Sequence, residues 1–167
     1  MASERSLCLL IDKNDVFLAP KKREGFGTNK LNGYGGNKED NESIEECACR
    51  ETREESGGVI VNVCDLYKQA EINFYFDNKP EWNQTVHVFV VEKYSGIPQE
   101  SEEMMAPERI AKSKLLNQDD SVYERMWVAD KLWIPLVLSG RKVKAEVTYA
   151  NGGEYVKEHK ITIVEKF

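Results

Sequence analysis

Residues 36–58 read GNKEDNESIEECACRETREESGG. Ser43 and Glu46 have the S-x-x-E spacing of a capping box, which satisfies the free N–H groups of a first helical turn. Gly57 and Gly58 provide a natural C-terminal stop. Between these signals, Ile44, Cys47 and Ala48 begin an apolar stripe at i, i+3, i+4 spacing. The stripe then continues as Glu51, Glu54 and Glu55. At ~100° per residue, Ile44, Ala48, Glu51 and Glu55 share one sector, Cys47 and Glu54 flank it, and Arg53 faces water. Ionised carboxylates aimed at a sheet are costly unless paired, and close like charges raise each other's pKa. A hard divalent cation removes both penalties. Mg²⁺ in particular takes oxygen ligands and shares its shell with substrate phosphates. The spacing therefore predicts a helix that packs through its first half and presents a cation site through its second. Arg50, four residues from both Glu46 and Glu54, is placed to lock the helix and orient one acid. The competing reading is a plain surface helix rich in Glu and Arg. The switch from apolar to acidic, between two glycine-bearing loops, disfavours it.

Working outward, residues 24–37 (EGFGTNKLNGYGGN) are glycine-rich loop, preceded by the basic cluster Lys21-Lys22-Arg23. The apolar run 6–11, the turn residues 12–15 and the segment 16–18 read as a β-hairpin. Downstream, strands are expected near 59–63, 72–76, 86–91, 126–128, 143–149 and 161–163. Residues 95–108 read as polar loop. A second helix is expected over 132–138, with Pro135 in its first turn and Asp130 as a possible N-cap. The pattern is an α+β domain, spanning residues 1–167 as a single unit, with a mixed sheet and about two helices.

The chain has 167 residues, 41% hydrophobic and 31% charged, as in a folded globular domain. Its formal charge of −6 argues against a nucleic-acid polymer as partner. A small phosphorylated substrate remains compatible, because a bound cation inverts the local field. No apolar run approaches the ~20 residues of a membrane span, so no membrane partner is expected. The start MASER leads into the first strand without a secretory or transit pattern. A cytoplasmic location is expected, with nuclear or mitochondrial pools left open. Cys8, Cys47, Cys49 and Cys64 form no C-x-x-C pair, so reduced thiols are expected rather than a zinc site.

Gly36, Glu42, Arg50-Glu51, Glu54-Glu55 and Gly57 match, in spacing, the signature G-x5-E-x7-R-E-U-x-E-E-x-G-U, with U aliphatic. On these residues the chain resembles the Nudix hydrolases. Thr52 and Gly58 depart at the two aliphatic positions, where packing rather than chemistry is at stake. The resemblance implies a Nudix fold, an α/β/α sandwich around a mixed sheet, and Mg²⁺-dependent hydrolysis (Mn²⁺ as an alternative) of a nucleoside diphosphate linked to another moiety. By position it makes Glu51, Glu54 and Glu55 metal ligands, with the catalytic base open among Glu54, Glu55 and Glu103. Glu103 and Gly35 join the metal set. Arg50 and Glu42 become an ion pair, and Gly36 and Gly57 shape the loops.

The stretches KKREGFGTNKLNGYGG (21–36), VHVFVV (86–91), GIPQESEEM (96–104) and MWVADKLWIPLVL (126–138) are similar, in the same order, to the subfamily of animal-type oxidised purine nucleoside triphosphatases. That likeness implies release of diphosphate from substrates such as 8-oxo-dGTP by a monomer that clears damaged nucleotides. It also implies a base pocket. Asn32 would hydrogen-bond the purine, and Phe26, Phe74, Met104 and Trp127 would form the walls. Ser6 and Tyr149 would lie on the periphery, Lys21 would approach the phosphates, and Asp130 would read the purine edge. The subfamily carries adjacent aspartates after the tryptophan, and here the first is Ala129. Leu31 replaces a tryptophan, and Asn83-Gln84 replace apolar residues. Another nucleotide therefore stays open as substrate: a dinucleoside polyphosphate, an unmodified or methylated triphosphate, or a pterin triphosphate. So does a silent nucleotide-binding module.

Overall fold

A computed structural model describes residues 2–22, 24–25 and 27–167. Strand β1 (Ser3–Asp12) carries the unbroken apolar run because both of its faces are buried. Leu7, Leu9 and Ile11 enter one core, while Cys8 and Leu10 enter a second core across the sheet. A strand covered on both sides needs no polar alternation. It turns antiparallel into β2 (Asp15–Pro20), as the hairpin pattern predicted. The short β3 (Leu31–Asn32) extends the sheet beyond β2. Beyond β1 come β5 (Gln84–Val91), β4 (Tyr67–Phe76), β7 (Lys142–Ala150) and β8 (Tyr155–Val164), and β6 (Glu108–Ala111) pairs with β2. The β1–β5 and β4–β7 pairs are parallel and the others antiparallel, so the sheet is mixed.

Helix α1 (Ile44–Glu55) covers one face, with Ala48 in a core beside Cys8, Leu10, Tyr34 and Phe89. The capping box is complete: Ser43 Oγ accepts from Glu46 N–H, and the Glu46 carboxylate accepts from Ser43 N–H. Such a cap contributes about 1 kcal/mol. At the other end Gly57 has φ +72°, which glycine adopts without the strain of a Cβ, and Gly58 N–H donates to Arg53 O. The short α2 (Lys112–Leu116) and α3 (Asp120–Tyr123) join α4 (Asp130–Leu138) on the opposite face, in the core of Leu7, Leu9 and Ile11, through Leu115, Val122, Trp133 and Ile134. Helices on both faces of a mixed sheet give the expected sandwich.

Several expected elements differ. Over 59–63 there is no strand: Ile60 makes an isolated bridge to Ser95, and Val63–Asp65 winds into a 3₁₀ turn. Over 126–128 the chain turns instead of extending, because Asp130 N–H donates to Trp127 O and leads into α4. The N-cap of α4 is Ala129, so Asp130 is not the cap, and Pro135 lies inside the helix rather than in its first turn. The described residues contain four α-helices, two of them short and without helical periodicity in sequence.

Candidate active site

The acidic half of α1 lies against the glycine loop as its pattern implied. Glu55 is buried and Glu51 nearly so, with 14% of the Glu51 side chain exposed, whereas Glu54 is on the outer flank and Arg53 faces solvent. The loop is held down on β1 by Ser6 N–H to Gly36 O and by paired bonds between Cys8 and Tyr34. Gly35 N–H then donates to Glu55 Oε2 at 2.9 Å. A Cβ on Gly35 would meet Ser6 O at 1.9 Å, and one on Gly36 would meet the Glu51 carboxyl at 2.5 Å. The backbone therefore approaches both β1 and the acids more closely than any side chain permits.

Arg50 organises the outer side. Its Nε and Nη2 grip both oxygens of Glu42 at 2.9 and 2.6 Å, a bidentate clamp. Nη1 donates to Glu51 at 3.0 Å and to Glu54 at 3.4 Å, and Nη2 also reaches Asn37 O. The clamp holds the Glu42 carboxyl down at about 2 and raises the Arg50 guanidinium.

Inside this ring the fields reverse. Burial pushes Glu55 up to about 8; the Gly35 N–H and Lys21 oppose the rise, and Glu51 and Glu103 reinforce it. Burial raises Glu51 as well, against its bond to Arg50, with Glu54 and Glu103 adding to the rise. Glu103, in the loop after β5, thus adds its charge to the same field. Gly57 lets that loop pack on the helix end, where Gln99 N–H donates to Ser56 O. Among the described residues, no three acids form a ready-made cation cage. Glu51, Glu54 and Glu55 offer oxygen donors only, and among the described residues one hydrogen bond, from Gly35 N–H, reaches Glu55. That donor set fits a hard divalent cation.

A cavity opens beside the acids. Its lining includes Asn32, Gly35, Glu55, Lys21, Met104, Phe74, Trp127, Asp130 and Tyr149, so most of the expected base-pocket residues converge. Phe26 lies outside the described residues. Both Phe74 and Phe76 line the cavity, and both stack on Tyr149, at 5.7 and 5.1 Å between ring centroids. Trp127 leans on Tyr149 and lies under Lys30 Nζ, 5.1 Å from its ring centroid. Ser6 reaches the rim, its Oγ 3.3 Å from Cys47 Sγ. Asn32 Oδ1 accepts from Gly33 N–H. Asp130 is 5% exposed and accepts from Trp127 N–H. Burial pushes its carboxyl up to about 7; that bond and the Trp133 indole oppose the rise, although Trp133 Nε1 makes no well-formed hydrogen bond. Near neutrality Asp130 can therefore hold a proton and donate it to an acceptor on a ligand.

The lining also holds residues outside that expected set, two of them polar side chains from strands. Arg5 occupies the cavity wall near Glu55 and Glu51, with its guanidinium pKa lowered by burial against the pull of those acids. Gln84 opens β5 inside the cavity. Both sit near strand ends and follow from register: Arg5 faces Val86, and Gln84 lies between Ser3 and Phe74.

A NUDIX domain model matches residues 3–134, and the chain belongs to that family. Nudix hydrolases generally use a divalent metal. The chain is 36% identical over 160 residues to an oxidized purine nucleoside triphosphate hydrolase of Danio rerio, covering 96% of this chain and 94% of the relative. It is also 36% identical to the protein of the same name from Mus musculus, over 82% of this chain and 80% of that one. Among solved structures, a MutT protein from Bacillus halodurans superposes with a TM-score of 0.77 at 23% identity, covering 95% and 97% of the two chains, which bears on the fold. No helix among the described residues is long and apolar enough to cross a membrane.

Proposed function

We propose that this chain, acting as a monomeric single domain, hydrolyses oxidised or otherwise modified purine nucleoside triphosphates such as 8-oxo-dGTP to the monophosphate and diphosphate. The observation that carries the reading is the junction of two unlike sites at Gly35. Its N–H holds the buried Glu55, while the same loop, through Asn32 and Gly33, lines an aromatic cavity sized by Phe74, Trp127 and Tyr149. A triphosphate placed there lies with its base between the rings and its phosphates among the acids. The names of the 36%-identical relatives support the same substrate class.

Glu51, Glu54, Glu55, Glu103 and the Gly35 carbonyl would hold Mg²⁺, or Mn²⁺ in its place. The ion supplies Lewis-acid neutralisation of phosphate charge and lowers the pKa of attacking water. The chain's own residues do the rest. Lys21 lies close enough to favour the ionised form of Glu55, and it can approach the phosphates from the side opposite the helix. Arg50 keeps Glu51 and Glu54 in register through the Glu42 clamp. Removal of a water proton falls to one of Glu54, Glu55 and Glu103. Trp127 stacks the base, and Asn32 and Asp130 hydrogen-bond its edge.

The test is hydrolysis with Mg²⁺ of a panel holding dGTP, dATP, 8-oxo-dGTP, 2-hydroxy-dATP, O6-methyl-dGTP and a dinucleoside polyphosphate, with identification of the phosphorus products. A higher kcat/KM for an oxidised or methylated purine, with diphosphate released, is expected. A fast polyphosphate reaction beside slow triphosphate turnover would overturn the substrate assignment.

A further inference from the structure

The cavity lining includes a polar side chain, Gln84, that neither the acid chemistry nor the base contacts above employ. Gln84 is 7% exposed and lines the cavity next to Phe74, its partner across the β4–β5 pair. Its neighbour Asn83 is engaged structurally, with Oδ1 accepting from Phe76 N–H at 2.8 Å. Asn32 Oδ1 accepts from Gly33 N–H and Asp130 Oδ2 from Trp127 N–H, which leaves each its other polar atom for the base edge. Among the described residues, no hydrogen bond reaches the Gln84 side-chain amide. A primary amide carries two donor hydrogens and a carbonyl acceptor, and those of Gln84 face the cavity. An unpartnered amide at a ligand cavity is therefore an opening for a ligand's polar edge. Where the base would meet the start of α4, Ala129 is fully buried and adds no polar atom.

We propose that Gln84 is a specificity-determining residue that pairs with a lactam edge of the base, an N–H adjacent to a C=O. The ring N–H donates to Gln84 Oε1, and Gln84 Nε2–H donates to the ring carbonyl, giving two parallel hydrogen bonds. Oxidation at purine C8 creates such an edge, because N7 gains a hydrogen and C8 becomes a carbonyl. An unoxidised purine offers a bare acceptor and a C–H at the same place. Guanine has a second lactam edge at N1 and C6, whereas adenine has none. The inference rests on the purine reading above and deepens it.

The experiment measures binding by calorimetry, so that it is independent of turnover: 8-oxo-dGMP, dGMP and dAMP against the wild-type chain, Gln84→Met and Gln84→Leu. Loss of two hydrogen bonds should weaken 8-oxo-dGMP roughly tenfold to a hundredfold in both variants and leave dAMP unchanged. The free variants should melt close to the wild-type temperature, since the amide they replace faces the cavity and gives up no hydrogen bond among the described residues. A loss for 8-oxo-dGMP alone places the C8 edge against Gln84. An equal loss for dGMP places the N1–C6 edge there, and either result supports the lactam pairing. Unchanged affinities in folded variants, or the same loss for all three nucleotides, would overturn it and leave the purine reading standing. A wild-type chain that binds none of the three would overturn both.

Discussion

The two halves of the site are built in opposite ways. Apart from Glu103, the acid half comes from one helix and the loop before it: Gly36, Glu42, Arg50, Glu51, Glu54 and Glu55 lie within a short stretch of chain. The base half gathers Arg5 and Ser6 from β1, Phe74 and Phe76 from β4, Gln84 from β5, Tyr149 from β7, and Trp127 and Asp130 from the turn into α4. Charge placement for phosphate chemistry depends on helical spacing, which is a local property. A surface shaped to one heterocycle depends on which strands are neighbours. Each half can therefore change without the other, and the following substitutions test that separation.

The largest effect is expected at the acids. Glu55→Gln or Glu54→Gln should lower kcat by roughly 10³-fold or more, with KM little changed and the melting temperature intact. In metal titrations followed by melting temperature, Glu55→Gln should also lose most of the stabilisation that Mg²⁺ gives the wild type. Full activity in both variants would remove the metal assignment.

Arg50→Ala should come next. It leaves Glu42, which is 12% exposed in its side chain, without its bidentate partner, and a lost charge-assisted pair costs about 2–3 kcal/mol in urea unfolding. Arg50→Lys should recover only part of this, because an ammonium cannot reproduce the planar fork. An unchanged unfolding midpoint in the alanine variant would show that the clamp contributes nothing to the fold.

On the other half, Trp127→Ala should raise KM for a purine triphosphate by roughly tenfold to a hundredfold, the worth of one stacking plate, with kcat changed far less. A fall in kcat with KM constant would mean that the halves are not separable.

The smallest effect concerns pH. Asp130 stands at about 7 in the fold against an ordinary 3.8, so folding favours its protonated form. That contribution is complete below about 3.8 and is lost as pH rises through 7. Asp130→Asn lacks this titration. In thermal melts without metal, the variant should gain on the wild type between pH 4 and 8. Glu55, raised to about 8, titrates in both proteins and cancels in the comparison. Parallel melting curves across that range would show that Asp130 is not protonated in the fold.

The same division decides what can be read in the sequence. The capping box at Ser43, the stop at Gly57 and the alternation of Val143, Ala145, Val147 and Tyr149 are signals within one element, and all three appear in the structure. The segments 59–63 and 126–128 have the β-branched and aromatic residues of strands. Tertiary context overrides that propensity, since Ile60 finds only Ser95 to pair with and Trp127 is tied into the turn by Asp130. Arg5 gave no local signal, and Gln84 stood out only as a polar residue where the resembling subfamily is apolar. Their importance arises only once β1 lies parallel to β5 and β5 antiparallel to β4.

Gly35 is where the independence of the halves ends. Its N–H fixes Glu55, its Cα presses on the backbone of β1, and three residues back along the same loop stands Asn32. One added methyl group would lift the loop from the strand, releasing a buried acid and moving a base contact together. A fault in the smallest residue of the site would thus reach both recognition and chemistry at once. The loop acts as a shared fulcrum, and the stiffness of β1 beneath it sets how accurately the two halves meet on one molecule of substrate.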